Sequence, residues 1–438
     1  MTKLFTNRVK KTPLRIFGGL SSFQMLAMFR RGLFYTYLSI YMREFLSMSV
    51  FQTTLYATIP MVMSVIFQNF VWGPISDYTQ KRRTLVVCGE ILAGIGTLTV
   101  WGIHSLFNDF IVAGWVIIIG LSITEMFWSM SNIGWSALIS DLYSSEKRSK
   151  IMGQLTSLGG GGRMIGIFIG GLLYDSGFGF RYGPLFFVAS FIMFFSAIPM
   201  LLLSPEGGIS PDSLEKQFSS EETETHKNSV LIFVIFIIAL IFINFGRNSI
   251  AVPYSQYLSL DTGFNVDSLM LSFIANTRSV AVLLIGFGAG FLSKKLGHSL
   301  ALGLGTSIGI IALIITATTI YLPFIFLGGF LIGAAEVIIY ASSYAIASIL
   351  IRADLRGKLF AVYNTTFFLS WGSASTLISG PLIDFLISKG TTEVFAYQVS
   401  FLIGALLCLV GLFIFIFLEI SIILHKKKEK KNNLLNYF

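Results

Sequence analysis

The sequence predicts an all-α membrane protein of twelve transmembrane helices, arranged as two pseudo-symmetric six-helix bundles. Three observations lead there. The 438-residue chain is 54% hydrophobic and only 12% charged, and its apolar residues are gathered into runs that reach the ~20 residues needed to cross a bilayer. A polar stretch at 204–229 is the only linker of any length, and it splits the chain nearly in half. Short motifs on its two sides recur at matching offsets.

In order, a basic leader with Lys3, Arg8, Lys10, Lys11 and Arg15 precedes helix 1, expected over about Ile16 to Tyr41. This first run continues directly into a second, so no cleavable signal peptide is expected. Helix 2 covers about Gln52 to Ser76, helix 3 Thr84 to His104, helix 4 Phe110 to Ile139, helix 5 Met152 to Tyr174 and helix 6 Pro184 to Leu203. The linker follows, with Gly207, Gly208, two prolines and a cluster of acids. Six further runs lie at about Val230 to Tyr257, Ser268 to Leu292, Ser299 to Tyr321, Pro323 to Ile349, Leu359 to Ile387 and Val394 to Leu424, before a Lys-rich tail. The expected domains are therefore a bundle at 1–203, the linker at 204–229 and a bundle with its basic tail at 230–438.

The formal charge of +9 does not indicate a nucleic-acid partner, because the cations sit in short loops between apolar runs. Most of the 31 Lys and Arg residues fall on the side of the N-terminus, whereas the opposite side holds only Arg43, Arg181 and Lys389. By the positive-inside rule both termini are cytoplasmic, in a multi-pass protein of the cell membrane. Cys88 and Cys408 lie inside apolar runs as packing residues, and the four histidines sit at helix ends or in loops beside no nucleophile or ligand cluster. Neither an enzyme nor a metal or other cofactor is expected, and the chain is taken as a monomer.

The hairpin after helix 2 reads Val-Trp-Gly-Pro-Ile-Ser-Asp-Tyr-Thr-Gln-Lys-Arg-Arg-Thr-Leu from Val71 to Leu85. Gly73 permits close helix approach, Asp77 can meet the positive end of a neighbouring helix, and Lys81, Arg82 and Arg83 hold the turn at the cytoplasmic interface. The spacing Gly-x-x-x-Asp-x-x-x-x-Arg-Arg between the second and third helices resembles the signature loop of the major facilitator superfamily of secondary transporters. The halves also resemble each other, as that superfamily's internal repeat implies. Arg31 of Phe29-Arg30-Arg31-Gly32 matches Arg247 of Phe245-Gly246-Arg247-Asn248, and the run from Ser145 through Arg148 to Lys150 matches that from Ala353 through Arg356 to Lys358. The second-half copy of the signature loop is degraded, with Lys294 in place of Asp77. The resemblance implies alternating access about a site near the bilayer midplane. It also implies a cytoplasmic gate, in which Asp77 approaches helix 11 near Gly357 while Asp141 or Glu146 pairs with Arg82, Arg83 or Arg148. Helix 5 lacks the Gly-Pro pair of the antiporter signature, and helix 4 carries Glu125 where many proton-coupled members have arginine.

Eight ionisable residues lie inside the runs: Arg30, Arg31, Arg163, Arg247, Arg278, Glu90, Glu125 and Glu336. At roughly 3 kcal/mol each, unpaired charges would cost on the order of 20 kcal/mol, so they must face one another or water. Helical spacing puts Glu125, Trp128, Ser129 and Asn132 on one face, Glu336 and Tyr340 on another, Arg31 and Tyr35 on a third, and Arg247 and Tyr254 on a fourth. Adjacent Arg30 and Arg31 point about 100° apart, so one of them meets the cavity, and the repeat favours Arg31. Glu90 reads as structural, and Arg163 stands beside a Gly162, Gly166, Gly170 packing ridge. The aromatics on the polar stripes carry less weight than the charges.

Arg31, Arg247, Tyr35, Tyr254, Asn132 and Tyr340 are the expected substrate contacts, with Glu125 and Glu336 coupling transport to protons, because a carboxylate deprived of water can hold a proton at physiological pH. The excess of arginine suits an anionic substrate, for which guanidinium offers a planar fork. Placement of the two arginines is similar to that in organic-anion antiporters of the superfamily. Two other readings stand beside it: an exporter of amphipathic or cationic compounds that uses the two glutamates, and a non-transporting sensor or lipid scramblase on the same scaffold.

Overall fold

A computed structural model describes residues 13–143, 145–207, 229–351 and 356–435. Most of the expected linker lies outside the described residues, as do the side chains of Glu146, Arg148 and Arg356. The described residues form helices joined by short turns, with no strand among them. The helices are α1 (Pro13–Ile40), α2 (Val50–Thr79), α3 (Arg82–Ser105), α4 (Phe110–Leu142), α5 (Ser145–Tyr174) and α6 (Pro184–Leu203), then α7 (Ser229–Asn248), α8 (Ser268–Leu296), α9 (His298–Thr318), α10 (Leu322–Leu350), α11 (Arg356–Ala374) and α12 (Glu393–Leu435). α7 is followed by a short helix, Pro253–Ser259, and α11 continues through a π turn, Ser375–Ser379, into Gly380–Ser388.

Among the described residues, nine helical stretches are long and apolar enough to cross a membrane, against the twelve expected. The stretches that fall short are α1, which carries Arg15, Arg30 and Arg31, α5, with Arg163 amid glycines, and α11, rich in Ser, Thr and Asn. Buried polar residues lower the apolarity of a segment without removing it from a bundle.

The chain forms two compact units. The first takes the described residues of Met1–Ser220 together with Val252–Ser279, and the second those of Glu221–Ala251 with Val280–Phe438. Hydrogen bonds account for the first unit's claim on Val252–Ser279. Ser255 Oγ lies 2.7 Å from Ser39 Oγ, Gln256 Nε2 donates to Thr53 Oγ1 at 2.8 Å, Ser268 Oγ to the Gly171 carbonyl at 2.8 Å, and Asn276 Nδ2 to the Met164 carbonyl at 3.2 Å. The first two of these bonds are buried and the other two part-buried, and the set holds the segment in place.

Within the first unit α1 and α5 approach backbone to backbone. Gly162, Gly166 and Gly170 recur every four residues, and a Cβ at any of them would collide with the carbonyl of Met25, Phe29 or Leu33, which keep the same spacing on α1. This small-residue ridge gives the close contact that apolar lipid cannot drive by itself. A core of Leu20, Phe23, Val86, Val87, Leu138, Ile139, Leu155, Ala197 and Met200 joins α1, α3, α4, α5 and α6. In the second unit Phe236, Leu240 and Ile243 of α7 pack with Leu302 of α9, Ile339 of α10, Tyr363 of α11 and Phe415 of α12.

Candidate functional site

The first unit gathers charge around one indole. Trp128 of α4 is buried, and its Nε1 donates to Glu90 Oε1 of α3 at 2.9 Å. Glu90, 1% exposed, also accepts from Ser131 at 2.8 Å and from Ser196 of α6 at 3.5 Å. Over the same ring stand two guanidiniums of α1, with Arg30 Cζ 4.6 Å and Arg31 Cζ 4.4 Å from the centroid. Both are within cation–π range, where a desolvated contact contributes on the order of 2 kcal/mol. The neighbours differ in environment, as helical geometry requires: Arg30 is buried and Arg31 is exposed. Yet their long stems bring both heads to Trp128.

Glu125, one turn from Trp128, is half-buried, interacts electrostatically with Arg31 and Arg30, and accepts from Ser64 of α2. Tyr35 is half-buried beside Arg30, with its ring stacked 6.3 Å from that of Tyr56. A small cavity of about 10 Å³ is lined by Arg30, Tyr35, Glu125 and Trp128 among others, so Arg30 and not Arg31, which the repeat favours, is the arginine that meets it. Glu90, read from sequence as structural, thus bonds directly to the ring that carries both arginines, and Trp128 is the residue that sequence reasoning undervalued. Its signal was its place three residues after Glu125.

The second unit holds a simpler pair. Arg247 Nη1 of α7 lies 3.7 Å from Glu336 Oε2 of α10, the arginine side chain 5% and the glutamate 35% exposed. Asn248 Nδ2 donates to Ser370 Oγ at 2.9 Å and Asn244 Nδ2 to Thr366 Oγ1 at 3.3 Å, so α7 is pinned to α11 on either side of Arg247. Tyr340 is exposed and stacks against Tyr344 at 6.5 Å. Arg31 and Arg247, which the repeat aligns, therefore sit differently. One is exposed on an aromatic ring, and the other is buried against a carboxylate.

Of the remaining expected contacts, Tyr254 and Arg278 belong to the first unit and interact with each other, and the Tyr254 hydroxyl is buried. Asn132 is half-buried, as is Arg163 beside the glycine ridge.

At the hairpin Arg82 is the hub. Its Nε donates to Asp141 Oδ2 at 3.3 Å, Nη1 to Asp77 Oδ1 at 3.2 Å and to Ser76 Oγ, and Nη2 to Gln80 Oε1 at 3.2 Å. Asp141 is buried with it, while Asp77 is 79% exposed. Arg83 pairs instead with Glu206 at 2.9 Å, and Glu206 also accepts from the Thr84 amide, placing its charge on the positive end of α3. Nothing in the linker's acidic composition marks Glu206 out. Gly73 also has a role other than the expected helix–helix approach: it closes a π turn over Gln68–Trp72, and a Cβ there would stand 2.8 Å from the Gln68 carbonyl of its own helix.

Residues 20–375 match the family model described as Major Facilitator Superfamily. Among solved structures the chain is similar to a bacterial homologue of the human lysosomal transporter Spinster, at 15% identity and TM-score 0.70, covering 93% of this chain and 97% of that one. It is likewise similar to the nucleoside transporter NupG, at 13% identity and TM-score 0.69, covering 92% and 98%. A POT family transporter in complex with a thioalcohol-conjugated peptide gives 12% identity and TM-score 0.66 over 92% and 96%. At these identities the likeness is one of fold. No curated protein matches the chain.

Proposed function

Since the chain belongs to the Major Facilitator Superfamily by its match over residues 20–375, a family of transporters and not of enzymes, we propose that it carries a small organic anion across the cell membrane by alternating access, coupled to protons. The observation that carries this reading is Arg31, an exposed guanidinium seated on Trp128 with the Glu125 carboxylate within electrostatic reach. A carboxylate or phosphate on the solute competes with Glu125 for that guanidinium, because both offer the same acceptor geometry. Once displaced from Arg31, Glu125 loses one of its two counter-charges, and a proton takes the place of that arginine. Solute and proton thereby bind together. Arg247 and Glu336 form a second arginine–carboxylate pair in the second unit, with Tyr340 as its polar contact, while Tyr35, Asn132 and Tyr254 are the polar contacts of the first unit. The reading includes α1, α5 and α11 as membrane-crossing helices, which completes twelve spans, with both termini cytoplasmic and the protein acting as a monomer.

Thermal-shift screening of the purified protein identifies the solute, since a ligand of the folded state raises the melting temperature. Anions that stabilise the wild type should fail to stabilise Arg31→Ala. In proteoliposomes, Glu125→Gln and Glu336→Gln should each abolish uptake driven by a pH gradient while anion binding persists. Unchanged proton-driven flux in both variants overturns the coupling. A second reading, export of amphipathic cations, is favoured by the half-exposed Glu336 carboxylate beside exposed Tyr340 and Tyr344. Cationic rather than anionic hits in the same screen, lost on Glu336→Gln, would establish it instead.

A further inference from the structure

Arg30 is 5% exposed, and its Nε and Nη2 are buried without a hydrogen-bond partner. Leaving guanidinium donors unpaired in a medium of low dielectric is costly, and structures rarely do so without a compensating group. Beside Arg30 lies the cavity of about 10 Å³, whose polar lining consists of Arg30, Tyr35, Thr97, Thr124, Glu125 and Trp128, all within the first unit. Such a volume accommodates about one water molecule.

The lining is divided by chemistry. Thr97 Oγ1 donates to the Ala93 carbonyl at 2.8 Å and Thr124 Oγ1 to the Gly120 carbonyl at 2.9 Å. A hydroxyl has one proton and two lone pairs, so with the proton spent on its own helix each threonine can offer the cavity only an acceptor. Glu125 adds another acceptor, and the donors are Arg30 and the Tyr35 hydroxyl, which accepts from Arg30. An occupant must therefore accept on one side and donate on the other, in the space of a single heavy atom. Arg30 and Arg31 are offset by Glu90 and Glu125, so the surroundings favour no ion of either sign.

We infer that this cavity is a built water site, in which one molecule accepts from Arg30 and donates to Glu125 and to a threonine hydroxyl. The water joins Glu125 to the buried group formed by Arg30, Trp128 and Glu90. The site does not depend on the solute or on proton coupling, and its loss would leave the proposed function standing.

Two measurements test it. A map of the purified protein that resolves ordered waters should show a peak within about 3.2 Å of Arg30 Nε or Nη2. An empty cavity overturns the inference. Independently, the isosteric Thr124→Val change removes an acceptor from the water, whereas Thr124→Ser keeps it. Thr124→Val should lower the melting temperature by a few °C in the wild-type background and by clearly less in an Arg30→Met background, where the water has lost its donor and only the bond to the Gly120 carbonyl is removed. Equal shifts in the two backgrounds would show that Thr124 acts through packing alone and count against the site.

Discussion

Trp128 is held from two sides, its Nε1 by Glu90 and its ring face by the guanidiniums of Arg30 and Arg31. Phenylalanine can replace the face and not the donor. Trp128→Phe should therefore leave the arginines seated but deprive a buried carboxylate of one hydrogen bond, at a cost of about 1–3 kcal/mol in a denaturation or melting experiment. Trp128→Leu, which removes both interactions, should cost more. In sequence, the spacing of Glu125 and Trp128 on α4 is visible. The bond to Glu90 is not, because it joins residues 38 apart that meet only through helix packing. A similar limit applies to Arg30 and Arg31: helix geometry separates their Cα–Cβ directions, but flexible stems let both heads return to one ring.

At the level of elements, the glycine spacing on α5 forecasts where two backbones touch. Gly166→Val should push α1 and α5 apart and destabilise the protein by about 1–3 kcal/mol or more, since a Cβ there meets the Phe29 carbonyl. Gly161→Ala, a position where a Cβ meets nothing within 4 Å, is the control and should change the melting temperature little. The π turns at Tyr41–Phe45, Gln68–Trp72 and Ser375–Ser379 leave no comparable trace. They arise where a helix must absorb a residue to satisfy its neighbours, so periodicity read along one helix does not reveal them. That is why Gly73 reads from sequence as a contact with a neighbouring helix rather than with its own carbonyl ladder.

For the molecule as a whole, loop charge and apolar runs carry the multi-pass, all-α architecture, while α1, α5 and α11 stand out as the stretches whose buried polar residues dilute the membrane signal. The hairpin at Arg82 is where the first unit concentrates ionic bonding. Arg82→Ala takes the guanidinium away from buried Asp141 and should lower the melting temperature, with Arg82→Lys recovering only part because an ammonium lacks the planar fork. By contrast, the partly exposed Arg83–Glu206 pair should contribute about 1 kcal/mol or less, and that small contribution should fall further as salt is raised. The division of the chain adds a last consequence. After the first crossing, which lies outside the described residues, the polypeptide passes between the units again at residues 251 and 279, so the two are interlaced along the sequence rather than strung end to end. A hybrid assembled by joining residues 1–220 to the second half of another transporter would bring foreign side chains to the partners now satisfied by Ser255, Gln256, Ser268 and Asn276. Such hybrids should melt lower than ones that also keep native residues 252–279, a ranking that a set of matched fusions can measure directly.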